Sequence, residues 1–292
     1  MSAEYVAGLP MYDWPEVADA LDEMWNHVAE AAHRLGLDVP TTLTRRNELV
    51  SLWTDPSMLL GQVCSLNPVR DGLGETEVVG TIVYDPSPDL PQPEPGSYYS
   101  VIVCRHDDPR RPIDGEGVGN GMALPDVLRF AGARVAANGT DSQSGYWSLG
   151  HFVRHLLHDG PIFGDVVFTG AHRDSVRAVA DGTADLAAID VHSWLLACEY
   201  EPEAAGRLAV VGTTDPTPGV VCVVSWELKD RRADLDRALH DAMSRFVGTP
   251  AASRLHISGY RSRRLEEFQV VADQVEDAGR HPWHAPTGVI AP

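Results

Sequence analysis

The chain has 292 residues, of which 43% are hydrophobic and 22% charged, so it is long enough to bury one large core or two smaller ones. Its formal net charge of −19 argues against nucleic acid and anionic membrane surfaces as partners, because both require basic patches. A small anionic ligand stays open, since a local site can be positive within a negative protein.

The predicted elements alternate between strands and helices. In the first part of the chain we expect a strand at 4–9, a helix at 16–35, a weak strand near 40–44, helices at 47–53 and 56–62, and strands at 63–66, 78–84 and 98–105. We then expect a strand ending near 138, a helix at about 144–158, a strand at 165–170, a helix at 171–182, a strand at 185–190, a helix from 191, strands at 207–214 and 219–225, and helices at 232–247 and 264–279. The alternation indicates the α/β class with parallel sheets.

The remaining segments are predicted as loops. Residues 85–97 hold five prolines and a glycine, 106–122 are polar and rich in glycine, and the tail 280–292, with three prolines, is expected to be loose. The sequence has no run of about 18 consecutive apolar residues, so no membrane span is predicted. The N-terminus lacks the basic and apolar regions of a secretion signal, which predicts a cytoplasmic protein, or a periplasmic or cell-surface one from which a leader has been removed.

Three polar clusters follow predicted strands, at Ser142–Tyr146, Thr169–Ser175 and Asp190–Trp194. In open α/β sheets, ligands bind beyond the carboxyl ends of the strands. We therefore expect the three clusters to lie at one edge of a sheet, where they would form the binding site.

The stretch NGTDSQSGYWSLG, residues 138–150, places Ser142, Ser144 and Gly145 at the start of a predicted helix. The exposed N–H groups and partial positive charge of a helix start bind anions. The two hydroxyls could add donors, and Gly145 would let a ligand approach the backbone. Taken alone, however, the pattern favours an ordinary serine cap.

The second cluster supports an anion pocket shared with the first, and the third leaves two roles open. His172 lies at the start of the helix at 171–182 and can donate to an oxyanion through its ring. Asp190 ends an apolar strand, where it either caps the next helix or accepts a hydrogen bond from the ligand.

No pattern in the chain predicts a metal, a cofactor or a catalytic residue. The glycine-rich dinucleotide and phosphate loops, the GxSxG elbow and HExxH are absent. The four cysteines are widely spaced without CxxC, which argues against a zinc or redox site. His151, His155 and His158 share one face of a predicted helix, but apart from the nearby Asp159 no carboxylate or cysteine accompanies them, so no metal site is expected.

SQSGY, followed about 27 residues later by GAHRDSVRAVADGTADLAAID, resembles the phosphate/phosphonate (PhnD-like) family of substrate-binding proteins, in the type 2 periplasmic-binding-protein superfamily. YYSVIVCR and LPMYDW resemble further parts of that family. The resemblance implies two α/β lobes joined by two crossing strands, with a ligand cleft between the lobes. The first lobe would comprise 1–104 plus 214–292, and the second 105–213.

The resemblance also implies the site residues and the partners. Oxyanion contacts would fall on Ser142, Gln143, Ser144 and His172, and cleft tyrosines on Tyr12 and Tyr99. Gln143 stands where the family has a small hydroxyl residue, which changes one anion donor. The ligand would be a small phosphate- or phosphonate-like anion, and the partner an ABC transporter permease.

Two other functions stay open at this point. Some relatives of the superfamily resemble cytoplasmic enzymes of menaquinone or thiamine-pyrimidine biosynthesis, and an intracellular ligand sensor is the third option. Fold alone does not choose between them.

Overall fold

The structure, a computed structural model, describes residues 5–46, 48–70, 75–111 and 124–285. Most of the loop predicted at 106–122, and the tail beyond residue 285, lie outside these ranges.

Twelve strands are present in the described part of the chain: β1 (Val6–Gly8), β2 (Met58–Val63), β3 (Thr76–Tyr84), β4 (Ser97–Tyr98), β5 (Ser100–Arg105), β6 (Val135–Ala137), β7 (Val166–Phe168), β8 (Leu186–Asp190), β9 (Leu208–Thr213), β10 (Thr217–Pro218), β11 (Val221–Ser225) and β12 (Ile257–Ser262).

The α-helices of the described residues are α1 (Ala18–Arg34), α2 (Leu49–Trp53), α3 (Leu124–Val127), α4 (Ser148–Val153), α5 (His172–Ala180), α6 (Val191–Tyr200), α7 (Pro202–Ala205), α8 (Arg232–Phe246), α9 (Pro250–Arg254) and α10 (Gln269–Gly279). A π-helical turn, Gln143–Trp147, precedes α4, and the 3-10 turn Arg154–Asp159 follows it.

The chain divides into two compact units. Unit 1 comprises the described residues within Met1–Asp85, Glu94–Ser97 and Pro218–Gln269. Unit 2 comprises those within Pro86–Pro93, Tyr98–Thr217 and Val270–Pro292. β4 and β10 pair as a separate two-stranded sheet.

Unit 1 contains a five-stranded sheet in the order β1-β2-β11-β3-β12. β1 is parallel to β2, while β11 runs antiparallel to β2 and β3, and β12 antiparallel to β3. Its core packs apolar side chains of β2, β3 and β11 against Trp53 and Phe268. α1 buries an apolar face formed by residues at helical spacing, among them Leu21, Met24 and Val28.

Unit 2 contains a second five-stranded sheet, in the order β7-β6-β8-β5-β9. β6 is parallel to both β7 and β8, whereas β5 is antiparallel to β8 and β9. The expected α/β class is confirmed, but the expectation of purely parallel sheets is wrong. Each sheet also includes strands that return in the opposite direction, and these produce mixed sheets.

Several segments differ from the sequence expectation. Residues 58–62, expected in a helix at 56–62, lie in β2 (Met58–Val63), whose six residues are all buried. No strand forms near 40–44, and β12 was not expected. Four segments expected in the first lobe belong to unit 2: 86–93, 98–104, 214–217 and 270–285. β5 pairs with β8 and β9, and Trp283 joins the unit 2 core.

The C-terminal tail is packed up to residue 285, rather than loose as expected. The side chain of Trp283 is 2% exposed and meets Phe163 edge to face, with 5.9 Å between ring centroids. The backbone N–H of Phe163 donates to the Trp283 carbonyl over 3.1 Å.

Candidate functional site

The three polar clusters lie at one edge of the unit 2 sheet. β6, β7 and β8 are adjacent and parallel, so their carboxyl ends meet there. The 142–147 turn follows β6, Thr169 follows β7, and Asp190 is the last residue of β8. This placement agrees with the sequence expectation for the clusters.

The 142–147 turn, Ser142–Trp147, begins the helical segment after β6. Ser142 is its N-cap, and its hydroxyl oxygen accepts a hydrogen bond from the Gly145 N–H over 3.0 Å. A Cβ on Gly145 would lie 2.5 Å from Oδ1 of Asn138, so a glycine is required there for close packing. Ser142 and Gly145 therefore build the turn itself. Single π-helical turns are frequent at functional sites.

Ser144 connects the first cluster to the second. Its hydroxyl lies 2.8 Å from Nε2 of His172, at the start of α5. Its carbonyl oxygen accepts hydrogen bonds from the hydroxyls of Ser100 and Ser148 over 2.8 and 2.7 Å. The backbone of Ser144 is thus held from two sides, which fixes the direction of its side chain.

His172 is held in one tautomer by the third cluster. The backbone N–H of Asp190 donates to Nδ1 of His172 over 3.4 Å, so Nδ1 carries no proton. In the neutral ring the proton is then on Nε2, which donates to the Ser144 oxygen. Burial lowers the pKa of His172 to about 3, which keeps the ring neutral. The hydroxyl hydrogen of Ser144 therefore points away from His172 and can be donated to another group.

Asp190 caps α6. Its Oδ1 accepts hydrogen bonds from the N–H groups of His192 and Ser193 over 2.9 and 2.8 Å, and the residue is 2% exposed. This is the first of the two roles that the sequence left open. Because its carboxylate occupies the start of α6, that helix start does not offer these two N–H groups to an anion.

The start of α5 differs from the other two helix starts. Its N-cap is Ala171, which has no side-chain acceptor for the first-turn N–H groups. Gly170, with a φ of +84°, reverses the chain between β7 and α5 in a conformation that favours glycine. The hydroxyls of Thr169 and Ser175 bond to each other over 2.6 Å. Of these three helix starts, only α5 lacks a side-chain cap.

The Ser144–His172 pair has the residue types of a nucleophile and its base, but not their protonation. A base must accept the serine proton on Nε2, and in this arrangement Nε2 already carries a proton. The pair is instead suited to hold a hydroxyl donor in a fixed direction.

The chain matches one protein family over residues 83–268, which is more than half of its length. That family is described as "ABC transporter, phosphonate, periplasmic substrate-binding protein". The chain belongs to this family of substrate-binding proteins. The resemblance noted in its sequence is thereby confirmed, and a binding protein is favoured over an enzyme on the same fold. No curated protein matches the chain in sequence.

Several solved structures share the fold. PhnD1 from Prochlorococcus marinus (MIT 9301), in complex with methylphosphonate, has a TM-score of 0.68 at 13% identity, with 95% of this chain and 99% of that chain covered. PA3383 from Pseudomonas aeruginosa, a binding protein component of an ABC phosphonate transporter, has a TM-score of 0.68 at 14% identity. The match covers 95% of this chain and 87% of that chain. XAC2383 from Xanthomonas citri, bound to ATP, has a TM-score of 0.64 at 15% identity. The match covers 95% of this chain and 98% of that chain.

The remaining residues expected at the binding site have other contacts. Gln143, 1% exposed, donates from Nε2 to Oε1 of Gln274 over 2.8 Å. The Tyr99 hydroxyl donates to the Pro91 carbonyl over 2.7 Å, and burial raises its pKa to about 12. Tyr12 belongs to unit 1, where it is buried and meets Tyr84 edge to face at 4.9 Å.

Two further residues of this substrate-binding protein support the turn: Ser100, which the sequence offered as a possible hydroxyl donor, and Gln274, which sequence reasoning missed. Ser100, on β5, reaches the Ser144 carbonyl, and Gln274, on α10, reaches Gln143. Both are far from the turn along the chain, so no local pattern could have indicated that they contact it. The uncapped start of α5 could have been found, because Ala171 stands where a capping residue is preferred.

In the described residues, no cluster of His, Cys, Asp and Glu has the arrangement of a metal site. His151 lies near Asp277 and Asp215, at 3.5 and 3.8 Å, and the side chain of His158 is outside the described part. Within the same residues, every helix is too short or too polar to cross a lipid bilayer.

Proposed function

We propose that the carboxyl edge of the unit 2 sheet binds the oxyanion group of a small phosphonate-like ligand. The supporting observation is that Ser144 lies beside the uncapped start of α5. Nε2 of His172, the first residue of that helix, lies 2.8 Å from the Ser144 hydroxyl. The first-turn N–H groups of α5 would donate to the oxyanion, and the Ser144 hydroxyl would donate beside them.

In this proposal the other residues of the edge support the donors. Ser142 and Gly145 shape the turn, His172 aligns Ser144, and Asp190 anchors the backbone that holds His172. His172 would act as a positioning residue rather than as a direct anion ligand, because both of its ring nitrogens already have hydrogen-bond partners. Tyr12 and Tyr99 stay proposed ligand contacts on the strength of the family resemblance alone.

The ligand class is proposed from the family and from the donors at the site. A tetrahedral phosphorus oxyanion presents several acceptor oxygens, which suits a hydroxyl and several N–H groups. The phosphonate family and the methylphosphonate in the PhnD1 structure make methylphosphonate the first ligand to test. We also propose that the protein acts outside the cytoplasmic membrane and delivers its ligand to an ABC transporter permease, as the family description suggests.

Isothermal titration tests the proposal. Wild-type protein is titrated with methylphosphonate, 2-aminoethylphosphonate, phosphate, phosphite, sulfate and acetate. Saturable binding of at least one phosphorus oxyanion, in preference to sulfate and acetate, is expected. Binding of none of them, or tighter binding of acetate or sulfate, overturns the proposed ligand class.

A further inference from the structure

The family match ends at residue 268, yet the chain continues with a C-terminal segment, residues 270–285, that belongs to unit 2. This segment comprises most of α10 and the residues around Trp283. It contacts the 142–147 turn and the α4 residues that follow the turn, at two separate places.

The first contact is a buried hydrogen bond between two amides. Nε2 of Gln143 donates to Oε1 of Gln274 over 2.8 Å, and the two residues are 1% and 6% exposed. Gln143 is the first residue of the π-helical turn, directly before Ser144. Buried polar groups are costly unless paired, so this bond fixes the position of the turn relative to α10.

The second contact is aromatic. A Cβ on Gly150, in α4, would lie 2.6 Å from Cδ1 and from Nε1 of Trp283, so the indole packs directly on the helix backbone. The Trp283 ring also meets Tyr146 at 4.9 Å between centroids, and the Tyr146 hydroxyl lies 2.9 Å from Nε2 of His284. Tyr146 is itself part of the 142–147 turn.

We propose that the C-terminal segment sets the ligand affinity by positioning the 142–147 turn, with Gln274 and Trp283 as positioning residues. This inference rests on the proposed function of that turn. Neither residue needs to touch the ligand. Each holds one side of the turn, and a hydrogen-bond donor loses much of its effect when it shifts by a fraction of an ångström.

The primary test replaces Gln274 with leucine, which keeps a similar volume but removes the acceptor of the Gln143 amide. The dissociation constant for methylphosphonate is expected to rise about tenfold, since the buried Gln143 amide loses its hydrogen bond to Gln274 beside the site. Gln269→Leu, the same substitution at an exposed position of the same helix, is the matched control and is expected to bind as wild type does.

A double variant shows whether Gln274 acts through Gln143. If it does, Gln143→Leu combined with Gln274→Leu binds no more weakly than the weaker single variant, because both remove the same bond. Additive losses would show that the two side chains act independently and would overturn this part of the proposal.

Gly150→Ala tests the second contact and does not depend on the Gln274 variant folding. The added methyl group displaces Trp283, so weaker methylphosphonate binding is again expected. Unchanged affinity in both Gln274→Leu and Gly150→Ala overturns the proposal.

A readout without ligand separates this inference from the proposed function. The Gly145 N–H, bonded to Ser142, is expected to exchange its hydrogen faster in Gln274→Leu than in wild type or in Gln269→Leu. If wild type binds none of the phosphorus oxyanions, the proposed function fails, and the exchange rate decides whether the segment positions the turn. An unchanged exchange rate would then overturn the positioning role.

Discussion

At the residue scale, the two serines of the 142–147 turn differ in what their hydroxyls contact. The Ser142 hydroxyl accepts from the Gly145 N–H, whereas the Ser144 hydroxyl accepts from His172 and keeps its own hydrogen for another acceptor. The two serines are only two positions apart in sequence, yet Ser142 is a helix cap and Ser144 is suited to ligand binding.

The two alanine variants should therefore give opposite results. Ser144→Ala is expected to weaken methylphosphonate binding by about tenfold or more, because a hydrogen bond to a charged oxygen is lost. Ser142→Ala is expected to lower the free energy of unfolding by about 1 kcal/mol, as for other lost N-caps, with the smaller effect on affinity. Titration calorimetry and thermal melting measure the two quantities. A larger affinity loss in Ser142→Ala than in Ser144→Ala would contradict the assignment.

The neutral state of His172 predicts a pH dependence of stability. Burial lowers the pKa of His172 to about 3 in the folded protein, from 6.5 in the unfolded chain. Between these values the unfolded chain binds more protons at this residue. The stabilisation from the neutral ring is thus fully present above about pH 6.5, and it is lost as the pH falls toward 3.

His172→Gln removes this titration while it keeps a donor and an acceptor on the side chain. Between about pH 7 and pH 4.5, the variant should lose less stability than the wild type does. Denaturant unfolding at several pH values measures the difference. His33→Gln, at an exposed position of α1, is the control and should follow the wild type. Parallel losses in wild type and His172→Gln would show that His172 is not held neutral.

At the element scale, three helix starts lie at the carboxyl edge of the unit 2 sheet, and of these three only the start of α5 has no side-chain cap. Ala171→Asp would supply a cap and a negative charge at the place where we propose the oxyanion binds. We expect a higher melting temperature, since a cap contributes about 1 kcal/mol, together with strongly weakened methylphosphonate binding.

Two further variants separate the cap from its charge. Ala171→Asn offers a neutral cap and is expected to weaken binding less than Ala171→Asp. Ala171→Gly adds no acceptor and should keep wild-type affinity. Undiminished affinity in Ala171→Asp would exclude the start of α5 as the anion site.

Local sequence was sufficient to predict the three strand–turn–helix units of this site. β6, β7 and β8 are followed by polar residues and by helices at the expected positions. It was not sufficient for β2, because this short strand is buried along its whole length and its sequence, MLLGQV, has no alternation of apolar and polar residues to distinguish it from a buried helix. β12 was not predicted, because it is an edge strand whose residues are mostly half-buried and whose sequence is largely polar.

The supporting contacts of the site could be predicted only in part. Gln143 and Gln274 are separated by 131 positions, and their pairing depends on where α10 packs. The role of Asp190 was left open between a cap and a ligand contact, because a carboxylate at the end of a strand suits both. The hydrogen bonds to His192 and Ser193 show that Asp190 caps α6.

At the scale of the whole molecule, the net charge opposes the proposed ligand. With a formal charge of −19, the long-range field repels an approaching anion, although the local donors attract it. Affinity would then depend on short-range hydrogen bonds. The rate at which the ligand approaches would depend on how well salt screens the field.

The association rate of methylphosphonate should accordingly rise with ionic strength. Between about 10 mM and 150 mM salt the screening length shortens from roughly 30 Å to 8 Å, which removes most of the repulsion. Stopped-flow measurement of intrinsic tryptophan fluorescence is suited to follow the rate. 2-Aminoethylphosphonate, which carries a compensating ammonium group, should respond less and serves as the matched ligand. A rate that falls with added salt for methylphosphonate would mean that local positive potential, rather than the overall acidic charge, governs the approach of the ligand.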